Sequence, residues 1–137
     1  MKKNIYTLLL ICLTAGNSFG QACGNSGPTQ CTASGTLTRP GLSPTSDSVA
    51  PFINGIPSTT VIQFKNFNQV NTPFGLLTLQ SLRIDSIENL PPGLCWSTDR
   101  ANNTYGNQES GCIKVNGTPC GNPGQYKLRI IVTINVG

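Results

Sequence analysis

Residues 126–136 read YKLRIIVTINV. Tyr126, Leu128, Ile130, Val132, Ile134 and Val136 fall on one side of a two-residue period, and Lys127, Arg129, Ile131, Thr133 and Asn135 on the other. Successive side chains point to opposite faces of a strand, so this segment has one wholly apolar face and one mostly polar face. Such a strand lays one face on a core and shows the other to water. Each aliphatic side chain buried there contributes roughly 1.5–3 kcal/mol before entropy costs. The segment is therefore expected to contribute more to the fold than any other.

Working outward, shorter runs follow the same logic. Residues 59–65, TTVIQFK, form a β-branched run. Residues 76–87 carry Leu77 and Leu79, then Leu82 and Ile84, so the apolar phase slips by one at Gln80-Ser81, as a bulge makes it do. Residues 95–97 and 112–115 read as short strands, and 34–38 and 48–53 as further ones. Glycine (15) and proline (10) are spread between these runs, and no stretch shows a helical period. Residues 41–44, 66–75 and 98–111 are loops by composition. About seven short strands separated by turns predict an all-β, antiparallel sandwich. Residues 89–96, NLPPGLCW, supply one corner of it. Pro92 pre-sets φ and Gly93 accepts the positive φ that follows, which makes residues 91–94 a type II turn. Two residues without an N–H cannot sit in a central strand. The chain should leave one sheet here, with Leu90 and Leu94 dipping into the core on either side.

The N-terminus has a different character. Lys2 and Lys3 precede an apolar run over residues 5–13, and residues 15–20, AGNSFG, then turn small and polar. That is the layout of a secretory signal peptide over residues 1–20, cut before Gln21. The apolar run is too short to span a bilayer, and no later stretch is long enough. Residues 21–47 are expected to be an extended, cysteine-containing segment, and 48–137 the sandwich domain. Without the leader, seven basic residues face five acidic ones, a net charge of +2. The basic residues are scattered, which argues against a nucleic-acid partner. Cys23, Cys31, Cys95, Cys112 and Cys120 then remain. Outside the cytoplasm such cysteines pair. Cys95 and Cys112 flank one long loop and are expected to form a disulfide. Cys23–Cys31 is a second expected bridge, with Cys23–Cys120 as its alternative.

Leu-Pro-Pro-Gly-Leu at residues 90–94, Gly-Cys-Ile-Lys-Val-Asn-Gly-Thr-Pro at 111–119, and Gly-Gln-Tyr at 124–126 opening an alternating strand follow one another in order. The order resembles the immunoglobulin-like (cadherin-like) modules of bacterial secreted and surface proteins. More narrowly it resembles their cysteine-bearing subset in cargo of the type IX secretion system. The resemblance covers residues 48–137. It implies an immunoglobulin-like sandwich, a role in adhesion, spacing or carbohydrate association at the cell surface, and no catalytic residues. The turn over residues 120–124 and the loop over 97–110 are longer than in these modules. Asp47-Ser48-Val49 and Asp85-Ser86-Ile87 are similar to the O-glycosylation motif of bacteria with this secretion system, which marks Ser48 and Ser86 as candidate glycan acceptors.

Little in the chain points to catalysis. It has no histidine, hence no usual base for a serine triad. Asp85 and Glu88 are the nearest thing to a carboxylate pair. With Asp99 they are the acids a calcium site would draw on, but no spaced acidic motif supports one. No cofactor or metal is expected. The expected function is a non-enzymatic module outside the cytoplasm, secreted or on the cell surface, whose partner is a surface glycan or protein. The alternative is carbohydrate binding, with Trp96 stacking on a sugar and Asn102, Asn103, Tyr105 and Asn107 of the following loop supplying polar contacts.

Overall fold

The structure, a computed structural model, describes residues 19–22 and 30–137. Except for Phe19 and Gly20, the expected leader lies outside the described residues. Among the described residues, nine strands form two antiparallel sheets packed as a β-sandwich: β1 (Phe19–Ala22), β2 (Gly41–Ser43), β3 (Ser58–Lys65), β4 (Gln69–Thr72), β5 (Gly75–Glu88), β6 (Leu94–Thr98), β7 (Thr104–Gly106), β8 (Ser110–Gly117) and β9 (Arg129–Val136). One sheet runs β2-β3-β8-β6. The other is built on β5. Residues 81–83 and 87–88 of β5 pair with β9 and also with β7 and β1. A strand has only two edges, so β9 occupies one edge of β5, and β4, β7 and β1 follow one another along the other. β1 pairs with β5 and, in parallel, with β6, so it joins the two sheets along one side of the sandwich.

The alternation of residues 126–136 is realised from Arg129 onward. Leu79, Leu82, Ile84 and Ile87 of β5 stand opposite Val136, Ile134, Val132 and Ile130 of β9. Directly opposed residues share a face, so the apolar set of β9 does look inward. The spacing on β5 is three, two and three residues, against a uniform two on β9. Gln80 and Asp85 are the extra residues, at register shifts between Leu79 and Ser81 and between Ile84 and Ser86. The first is the slip expected at Gln80-Ser81. The second bulge restores the phase, so all four aliphatic residues of β5 are buried.

The facing sheet contributes Phe64, Leu94, Trp96, Ile113 and Val115, and the core is completed by Leu90 and Tyr105. The corner over residues 90–94 forms as expected: Leu94 N–H donates to Pro91 O at 3.1 Å, and Gly93 has φ +87°. The chain passes there from β5 in one sheet to β6 in the other, with Leu90 and Leu94 buried. Glycine is obligatory at residue 93, because a Cβ would lie 2.0 Å from Thr118 O.

Several expectations need correction. Residues 34–38 and 48–53 are not strands; a single 3₁₀ turn at Ser46–Ser48 reaches into the second. β2, β4 and β7 lie in segments read as loops, and each is only three or four residues long. The sandwich also reaches N-terminal of residue 48, since β2 pairs with β3 and buried Cys31 is bridged to Cys112. That bridge replaces the expected Cys95–Cys112 pair and excludes Cys23–Cys31; Cys23 itself is outside the described residues. Cys95 stands opposite Asn116, four residues along β8 from Cys112. Four residues of strand are roughly 13 Å, about twice the Cα separation a disulfide tolerates. The Cys31 and Cys112 Cα atoms are 6.2 Å apart. Cys95 is disulfide-bonded as well.

Candidate functional site: an open edge of the sandwich

The two sides of the sandwich are not alike. One is closed by β1. At the other, β9 ends one sheet and the three-residue β2 ends the facing sheet. β2 covers only residues 63–65 of the eight-residue β3, so the facing sheet is short here. The inward face of β9 consequently overhangs it. Val132 is 39 % and Ile134 42 % exposed although both point toward the core, while Ile130 packs against it. This is why the strand read as the fold's main contributor is half solvated. A cleft of about 240 Å³ enters between the sheets at this edge, lined chiefly by Leu42, Phe64, Phe67, Ile84, Ile130 and Val132. Leu42 and Phe67, at 48 % and 50 % exposed, form its lip, with Lys65 beside them. Among the described residues, no strand pairs with the outer edge of β9.

A second apolar feature is the β4–β5 turn. Phe74 stands 92 % exposed at its tip. Thr72 Oγ1 holds the turn by donating to Gly75 O at 2.9 Å and accepting from Phe74 N–H at 3.2 Å.

The residues on which the carbohydrate-binding alternative draws lie elsewhere. Trp96 is 3 % exposed and Tyr105 is fully buried, so neither ring offers a face for stacking. Tyr105 packs edge-on against Phe64 at 4.7 Å, and the Arg100 guanidinium lies over its ring, 4.9 Å from the centroid. Its hydroxyl donates to Asp99 Oδ1 at 2.6 Å. Burial, then that hydrogen bond, push the Tyr105 phenol above its ordinary value. Arg100 also pairs with Glu109, whose second oxygen accepts from Gly106 N–H at 2.6 Å. The Arg100 bond, aided by Gly106, holds the Glu109 carboxyl below the usual range. The asparagines serve the same loop. Asn102 Oδ1 accepts from Thr104 N–H, Asn103 Oδ1 from Thr98 Oγ1, and Asn107 Nδ2 donates to Leu79 O at 2.7 Å. The loop over residues 98–109 is thus a network that docks on the core through Tyr105.

The acids do not converge on a metal. Asp85 accepts from Thr133 Oγ1 at 2.6 Å and Arg83 Nε at 2.7 Å, and these bonds, Thr133 first, hold its carboxyl below the ordinary range. Glu88 pairs with Arg129 at 3.3 Å, and Asp99 with Tyr105 and Cys112 N–H. Cys31, Cys112 and Asp99 offer three ligand atoms within 4.8 Å of one another. The two sulfurs are joined to each other, however, and the thiolate is what ligates a metal. Of the candidate glycan acceptors, Ser48 is exposed at the end of the 3₁₀ turn. Ser86 is half-buried within β5, opposite Ile131.

The cleft was not anticipated from the sequence. Its lip residues lie in segments 41–44 and 66–75, where turn composition hid them. No family model matches the chain, and no curated protein or solved structure does either.

Proposed function

We propose that the chain is a non-enzymatic module that works outside the cytoplasm by association: adhesion, spacing or attachment at a cell surface. The observation that carries this reading is the open edge, where apolar side chains of both sheets meet water in one cleft beside a strand edge that no other described strand covers. Apolar surface gathered in this way marks an interaction site. A disulfide between Cys31 and Cys112 fits an oxidising compartment. No helix among the described residues is long and apolar enough to cross a membrane. The immunoglobulin-like resemblance and the leader-like N-terminus point the same way, with type IX export as the route that the resemblance implies. With Trp96 and Tyr105 in the core, the sugar-stacking alternative loses its platform.

The reading is tested in the native host by fractionation, intact mass with and without reduction, and attachment assays. The expected product lies outside the cytoplasm, begins at Gln21, so that it keeps the β1 residues paired with β6 but not Phe19 and Gly20 paired with β5, and gains mass on reduction. Cells lacking it attach less well, and Val132→Lys does not restore attachment. Retention in the cytoplasm, or full complementation by Val132→Lys, overturns the reading.

A further inference from the structure

We infer that the open edge is completed by a second copy of this chain, through antiparallel pairing of β9 with β9 about a two-fold axis. The inference rests on reading that edge as the association surface, and goes further by naming the occupant and the register. Exposed edge strands are normally guarded by an inward charge, a proline or a bulge. Residues 130–136, IIVTINV, carry none of these; both bulges are on β5. The stretch is also self-complementary. Centred on Thr133, the two-fold register pairs all seven uncharged residues with one another. Val132 then meets Ile134 of the second copy, and Ile130 meets Val136, all on the inward face. Thr133 meets its own equivalent on the outer face, and Ile131 meets Asn135. Arg129 meets Gly137, so the two arginines end about 26 Å apart. That exceeds the screening length of roughly 8–10 Å, so no like charges within the paired strands oppose one another. Arg129 is moreover already paired with Glu88 of its own chain.

The pairing accounts for the half-exposed inward face. Val132 and Ile134 are covered on the side where the facing sheet is short, and the two clefts join beneath the continuous ladder. The resulting interface is isologous, the commonest symmetry of soluble assemblies.

Analytical ultracentrifugation of the exported chain over a concentration series tests this. The wild type should show reversible monomer–dimer exchange. Val132→Lys and Ile134→Glu, both at positions about two-fifths exposed, should keep the β-type circular dichroism spectrum. Each should weaken self-association on the order of 100-fold, because each buries a charge against an aliphatic partner. Mixed in equal amounts, the two variants should recover the dimer, since the introduced ammonium of one then faces the introduced carboxylate of the other across the axis. A wild type that stays monomeric, variants that fold and still dimerise, or a mixture that stays monomeric would each overturn the proposal. A synthetic peptide of residues 129–136, added to the monomeric wild type, separates the two failures. If it binds, the edge accepts a strand from another source; if it does not, the association reading of the edge falls too.

Discussion

Gly111 shows how one residue can fix a packing geometry. A Cβ there would lie 2.4 Å from Tyr105 Cε1 and 2.5 Å from Phe64 Cζ. The edge-on contact between those two rings exists because residue 111 has no side chain. Gly111→Ala must separate the rings, and overpacking of this kind costs about 1–3 kcal/mol. Urea unfolding followed by Trp96 fluorescence should show a lower midpoint at unchanged slope. Tyr105 makes the same neighbourhood sensitive to alkali. Its phenol is raised in the folded state, so its contribution to stability is complete below the unfolded value of about 10 and declines as pH climbs from there toward the folded value. Glu109 works in the opposite sense. Its carboxyl is lowered by Arg100, so that contribution is present above an unfolded value of about 4.3 and disappears as pH falls through the lower, folded value. Stability measured against pH should therefore decline at both ends. In Glu109→Gln the acid limb should be shallower and the alkaline limb unchanged.

Among the elements, β5 carries the most information. Its two bulges keep Leu79, Leu82, Ile84 and Ile87 on one face, in step with the uninterrupted alternation of β9. Deleting Asp85 should therefore do far more harm than replacing it. A one-residue slip sends every side chain of a strand to the other face, so the deletion turns Leu79, Leu82 and Ile84 outward and should leave no cooperative unfolding transition. Asp85→Asn keeps the register, weakens only the exposed hydrogen bonds that Asp85 accepts from Arg83 and Thr133, and should fold with a nearly unchanged midpoint. Circular dichroism of the two proteins decides the matter. The first bulge is readable from residues 76–87 because the leucines themselves change phase at Gln80-Ser81. The corner at residues 90–94 is readable because its turn type is set by Pro92 and Gly93. β2, β4 and β7 escape notice because three or four residues are too few to show a period, and their pairing is decided by β3 and β5 rather than by their own composition. The two roles open to Trp96 and Tyr105, core or ligand contact, could not be separated in the sequence for a related reason. An aromatic ring beside a polar loop serves a core as well as it serves a ligand, and only the docking of the loop through Asp99 and Arg100 shows which.

At the scale of the whole molecule, the sandwich is fastened on one side and open on the other. The fastened side is where the N-terminal segment enters. β1 joins both sheets there, and Cys31, itself buried, covers Cys112 on the face of β8 turned away from Ile113 and Val115. The connectivity could not be read from cysteine spacing, because the bridge spans 81 residues and answers to the placement of the N-terminal segment against β8. That long span also makes the bridge consequential. By chain-entropy reckoning, a loop of this size stabilises the fold by roughly 4.5 kcal/mol. A domain of this length commonly has about 5–15 kcal/mol in total. The double substitution Cys31→Ala with Cys112→Ala should accordingly remove a third or more of the stability, lowering the urea midpoint sharply while Trp96 remains buried in the absence of denaturant. Because Cys95 is also bridged, the wild type under a dithiol reductant should lose more than the double variant does without one. Equal losses would mean that the Cys31–Cys112 bridge alone carries the stabilisation that disulfides supply. A double variant as stable as the wild type would mean that β1 and β2 hold that segment without covalent help.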